Sequence, residues 1–171
     1  MELPHTSLSR LVDPWLDRVG RLASWLWLLL LLVIVGNVFL RYALGEGRIE
    51  LEEIQWHIYS LGFLLGLSYA FQADAHIRVD VLSVRLRPRV RAWLELYGIG
   101  LALLPFIALV LYYSIPFVAQ SWAVSEVSQA PGGLPARWAI KACLPLGFLL
   151  LLAAALSRLS RVWVFLFEGG R

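Results

Sequence analysis

The stretch Ala70–Trp93, AFQADAHIRVDVLSVRLRPRVRAW, concentrates five arginines, two aspartates and a histidine in a 171-residue chain that is 60% hydrophobic. Apolar runs flank it on both sides. Residues 54–73 hold His57 as their one group titrating near neutrality, and residues 96–124 carry no charge. About 20 such residues let a helix cross the roughly 30 Å hydrocarbon core of a bilayer. A helix can do so because it satisfies its own backbone hydrogen bonds in lipid. Two more runs qualify: Leu22–Leu40, in which Asn37 alone is strongly polar, and residues 138–157, provided Lys141 snorkels to the surface. The expected fold is an all-α integral membrane protein with four transmembrane helices. The quoted stretch is then a turn between the second and third.

The mean hydropathy of +0.71 excludes an ordinary soluble domain. The pI near 9.4 raises nucleic acid as a partner, but the placement of the cations argues against it. With the first helix running outward, Arg10, Arg18, Arg21, Arg78, Arg85, Arg87, Arg89, Arg91, Arg158, Arg161 and Arg171 lie inside. Arg41, Arg48, Arg137 and Lys141 lie outside. This asymmetry is a topology signal, and it places both termini and the basic connection in the cytoplasm. The first apolar run is too long for a cleaved signal peptide and is expected to remain as a membrane helix.

These readings divide the single membrane domain as follows. An amphipathic interfacial helix is expected at 8–21, with Leu8, Leu11, Val12, Trp15, Leu16 and Val19 on its apolar face, and Asp13-Pro14 also looks like an N-cap followed by proline at the first helical position. Spans follow at 22–43 and 52–73, then the basic connection 74–91, a third span 92–117 ending near Pro116, an outer loop 118–136, and a fourth span 137–160. Within the connection, Val79, Leu82 and Leu86 at helical spacing before Pro88 predict a short surface helix at the inner leaflet. Pro145 is expected to kink the fourth span.

Chemical machinery is sparse. The sequence has no phosphate-binding glycine loop and no cluster with metal-ligand spacing. Its three histidines are His5, His57 and His76, and the one cysteine, Cys143, lies in a span. No span carries a deep ionisable group of the kind proton coupling would need. Neither catalysis nor a cofactor is expected. Three features invite partner contacts instead. Arg41 closes the first span while Glu52 and Glu53 open the second, where an ion pair and a docking charge are both expected. Gly62, Gly66 and Ala70 form a small-residue face suited to close helix packing. His76, Arg78 and Asp80 alternate at the start of the connection, where Asp80 suits a helix cap and Arg78 suits lipid phosphate or a neighbouring subunit.

Four segments in order, NVFLRYALG, LEEIQWHIY, AHIRVDVLSVRLRPRVRAW and GGLPARWAIKACLPLGFLLLL, resemble the small membrane subunit of tripartite ATP-independent periplasmic (TRAP) transporters, the DctQ type. The similarity runs from about Asn37 to Leu152, and the His-x-Arg-x-Asp block is its most specific part. The resemblance implies three partners: a large elevator-type membrane subunit, a periplasmic substrate-binding protein and membrane lipids. It also implies uptake of an organic acid driven by sodium, with both held in the large subunit. The alternative is a four-helix anchor or scaffold of another complex, such as a respiratory enzyme.

Overall fold

The computed structural model describes residues 3–75 and 86–168. Helices dominate them: α1 (Ser7–Ala43), α2 (Ile49–Gln72), α3 (Pro88–Tyr97), a π-helical segment (Gly98–Leu103), α4 (Leu104–Ala123) and α5 (Arg137–Phe167). The surface helix expected at Val79–Leu86, together with His76, Arg78 and Asp80, falls almost wholly outside the described residues.

α1 begins earlier than the sequence suggested. Thr6 is its N-cap: its hydroxyl accepts from the amide of Ser9, and the Ser9 hydroxyl accepts from the amide of Thr6. Each side chain thus satisfies one of the free N–H groups at a helix start. Asp13-Pro14 is therefore not a cap, and no break separates an interfacial helix from the first span. Pro14 sits in the second turn of one 37-residue helix, where it costs the carbonyl of Arg10 its i+4 partner. The chain reverses at Leu44–Arg48 through Gly45, whose φ of +70° suits a residue without a side chain. α2 then starts at Ile49, so Glu50 and Glu52 occupy its first turn, where carboxylates favour the positive end of the helix dipole.

The third long helix is interrupted rather than ended by proline. Pro105 has no N–H to offer Leu101, and its ring crowds that carbonyl. The turn before it is widened: the amide of Leu104 reaches back five residues to Ile99. Pro116 does not stop the chain either, and α4 continues to Ala123, correcting the expected end near residue 117. α5 likewise runs beyond residue 160, to Phe167.

Among the described residues, three helical stretches are long and apolar enough to cross a membrane: Ser7–Ala43, Pro88–Ala123 and Arg137–Phe167. α2 is the exception to the expected four. Its 24 residues span about 36 Å, yet Gln55, His57, Ser60, Ser68 and Gln72 dilute its apolar content. It is also the helix wedged against both α1 and α5, so it has less need of an apolar surface.

α5 is the hub, touching α1, α2, α3, the π segment and α4. The arrangement is inverted relative to a soluble bundle. Ser68, Ser114, Ser121 and Ser157 are buried, while Leu101 is 74% and Tyr112 73% exposed. Buried serines cost little where small side chains allow close approach and the hydroxyl returns to its own helix. Ser68 donates to Leu65 O at 2.9 Å and Ser114 to Leu111 O at 3.2 Å. The main core joins Ile99, Ile107, Phe148, Leu151 and Ala155. A second small core packs Leu3 against Ala92 and Val162. Two close approaches between helices occur at glycines outside the small-residue face. A Cβ on Gly147 would lie 2.8 Å from Leu64 Cβ and 3.1 Å from the Leu64 carbonyl oxygen, and Gly20 lies under the ring of Tyr69.

Candidate functional site: two polar clusters capping the bundle

The charged side chains gather at the two ends of the helices. One end, the loop end, holds the Gly45 turn and the 124–136 loop. The other, the terminal end, holds the N-terminal residues, Asp74 and the last turns of α5.

At the loop end, Arg41 Nη2 meets Glu52 Oε1 at 2.6 Å, pairing the last turn of α1 with the first turn of α2. Glu53, the next residue, points elsewhere. Its Oε1 accepts from the Ser128 hydroxyl and its Oε2 from the Leu134 amide at 2.6 Å, so this carboxylate staples the loop to α2. Gly133 fits beneath the staple, since a Cβ there would lie 2.9 Å from Glu53 Oε1. A second carboxylate, Glu126, accepts from the Lys141 ammonium and lies 3.8 Å from Arg137 Nε. The Lys141 hydrogen bond above all, aided by the charges of Lys141 and Arg137, holds the Glu126 carboxyl below the usual carboxylate range. Lys141, expected to snorkel to the surface, ends on Glu126 of the 124–136 loop, with the Phe117 ring 4.1 Å away. Glu53 is therefore committed within the chain, and the exposed charges of this end are Arg41–Glu52, Glu46–Arg48 and Glu50.

The terminal end holds a network that the sequence reading missed. Arg158 on α5 grips Glu95 on α3 side-on, Nε to Oε2 at 2.9 Å and Nη2 to Oε1 at 3.0 Å. Both side chains are only 12% exposed, and Asp74 lies 3.5 Å from the same guanidinium. One turn on, Asp13 of α1 accepts from the Ser157 hydroxyl at 2.6 Å and faces Arg161 at 3.5 Å. Arg161 also donates to Leu3 O at 3.3 Å, and Thr6 and Ser160 share a hydrogen bond of 2.8 Å. Two-pronged carboxylate binding is the geometry in which arginine is strongest. The network joins α1, α3, α5 and the end of α2 without placing any charge in the middle of the bundle.

The remaining sequence candidates are not brought together. Gly62 is buried against Leu26 and Trp27 of α1. A Cβ on Gly66, four residues on, meets nothing within 4 Å among the described residues. Ala70 is half-buried. The small-residue face thus divides between contact inside the chain and open space. Among the described residues, no three His, Cys, Asp or Glu side chains are grouped to hold a metal ion.

No individual curated protein gives a significant match to the chain. The family model described as "Tripartite ATP-independent periplasmic transporters, DctQ component" matches residues 30–165. That range takes in the loop-end cluster and both partners of the Glu95–Arg158 pair. The family is one of transporter components, not of enzymes. The chain belongs to the DctQ family of tripartite ATP-independent periplasmic transporters.

Proposed function

We propose that this chain is the static scaffold of a sodium-driven importer. The substrate would be an organic acid, delivered by a periplasmic binding protein and carried, with sodium, by a large elevator-type subunit. The observation that carries this reading is the segregation of charge. Carboxylates and cations gather at the two ends, and among the described residues the middle of each long helix holds none, so the chain offers no ionic route of its own. Between the charged ends its outward faces are largely apolar, as a surface clad by lipid and a larger membrane subunit would need to be. α2 serves as the fourth span, its polar residues covered by α1, α5 and the partner.

In this reading the terminal end is cytoplasmic and the loop end periplasmic, in the bacterial inner membrane, as the arginine distribution favours. The binding protein lands on the loop end. Glu50 and the exposed Arg41–Glu52 and Glu46–Arg48 pairs suit a transient, orientation-dependent encounter. Gly66 and Ala70, together with His76, Arg78 and Asp80, are the residues we assign to the large subunit's side.

Reconstitution tests the proposal. Liposomes containing this chain with the large subunit and binding protein should take up an organic acid along a sodium gradient, and liposomes with this chain alone should not. Uptake by the chain alone would refute it. Reporter fusions after Arg91 and Gly133 should report cytoplasm and periplasm respectively, and the reverse pattern would overturn the topology.

A further inference from the structure

At the loop end, Glu53, Trp56, His57, Ser60, Ser128, Leu134, Arg137 and Ile140 enclose a cavity of about 220 Å³ between α2 and α5. The loop staple uses Glu53 and Ser128, but three polar groups remain unmatched. Arg137 lies 3.8 Å from Glu126 at Nε, near enough to offset its charge but beyond hydrogen-bond distance, so the guanidinium N–H groups have no hydrogen-bond acceptor among the described residues. The Ser60 hydroxyl has no partner among them either. His57 Nδ1 lies 2.6 Å from the carbonyl oxygen of Glu53. A carbonyl only accepts, so Nδ1 carries a proton, and a ring holding that one proton leaves Nε2 as an acceptor. The cavity therefore offers a cationic donor fork on one side. On the other it offers acceptors, His57 Nε2 and the remaining lone pairs of Glu53.

The charge balance narrows the ligand. Glu53 and Glu126 are matched by Arg137 and Lys141, so the surroundings are neutral overall and a net anion would be left uncompensated. The size narrows it further, because about 300–1,000 Å³ is usual for a whole small-molecule ligand and this cavity is smaller. Trp56, 69% exposed on its rim, with Ile140, gives it an apolar side at the depth where tryptophan favours the membrane surface.

We propose that this cavity seats the head group of a zwitterionic phospholipid carrying a primary amine. The phosphate lies on Arg137 and Ser60, the ammonium faces His57 Nε2 and Glu53, and the acyl chains run down the groove beside Ile140. The assignment of this lipid to the outer leaflet rests on the proposed topology. Binding itself does not.

The test uses the full chain extracted from membranes with its associated subunit. It is returned to nanodiscs of phosphatidylethanolamine or phosphatidylglycerol, and the lipid retained after detergent stripping is weighed by native mass spectrometry. The parent should keep one phosphatidylethanolamine per chain. Arg137→Gln should lower that retention by about tenfold or more, as loss of a charge-assisted contact implies. Phosphatidylglycerol should be held about as poorly by the parent. Ser60→Leu fills the cavity without removing a charge and should do the same, which carries the test if Arg137→Gln unfolds the loop. Equal retention by parent and Ser60→Leu would overturn the proposal, as would equal retention of the two lipids. Displacement of the lipid by millimolar inorganic phosphate would also overturn it, by showing a simple anion site. Because the readout is lipid mass, it stands or falls independently of transport.

Discussion

Substituting Gly147 by alanine isolates one close contact between α2 and α5. The new Cβ would lie 2.8 Å from Leu64 Cβ, whereas ordinary contact begins at 3.4 Å, so the helices must part by about 0.6 Å. The flexible end of a side chain cannot absorb that shift, because the atoms it meets are Leu64 Cβ, O and C. Overpacking of this kind costs about 1–3 kcal/mol. Alanine's helix preference over glycine returns about 1 kcal/mol, so the net effect on Gly147→Ala is modest and needs a reference. Gly66→Ala supplies one: it gains the same preference on α2 but meets nothing within 4 Å. The difference between the two variants should therefore be about 1–3 kcal/mol, a factor of roughly 5–150 in the unfolding constant. Unfolding of the subunit in mixed micelles, followed by the fluorescence of its eight tryptophans, measures it. Adding Leu64→Ala should not rescue Gly147→Ala, since the clashing Cβ and carbonyl remain. Equal stability of the two glycine variants, or rescue by Leu64→Ala, would refute the contact.

Other outcomes follow from the clusters. Arg158→Met leaves Glu95 buried without its two-pronged partner and should cost about 3–5 kcal/mol in the same unfolding assay, with most of the loss recovered by adding Glu95→Leu. Glu53→Gln should free the 124–136 loop, read as faster protease cleavage or amide exchange at Leu134, with little change at Arg158. The depressed Glu126 carboxyl stabilises the loop above the ordinary carboxylate range near pH 4.5. That contribution should fade as pH falls through its lower folded value, and the fade should be absent in Glu126→Gln. Gly66→Leu should leave the isolated subunit stable yet reduce copurification of the large subunit, and unchanged copurification would place that face against lipid.

The helices were legible because charge-free runs of span length have few other interpretations, and their ends were not. Proline misled twice. Pro14 looked like a start and Pro116 like a stop, but the cap at Thr6 and the continuation to Ala123 depend on local hydrogen bonding that composition does not reveal. At the candidate site, the Arg41–Glu52 pair was readable because a five-residue turn forces those neighbours together. The Glu53 staple and the Glu95–Arg158 clamp join residues 75 to 81 and 63 positions apart. Sequence spacing gives the depth and face of such residues but not which helix stands opposite. The same gap explains the glycines: periodicity drew attention to Gly62, Gly66 and Ala70, while Gly20 and Gly147, with no pattern around them, bear the close contacts. Membership of the family was legible because several short motifs recur in one order.

The position of α5 at the centre of the bundle has a consequence for how the protein is made. The hub leaves the ribosome after all the helical segments it gathers. Until it arrives, α1 and α2 can form a hairpin, but α3 and α4 lack the neighbour on which they chiefly lean, Glu95 has no Arg158, and Leu3 has no Val162 to cover it. The early chain must wait in the membrane as loosely associated pieces, and arrival of α5 closes both ends together. A message truncated before Arg137 would leave Glu95 without its clamp and the amino end without its cover, the type of exposed surface by which membrane proteases can tell an unfinished subunit from a finished one.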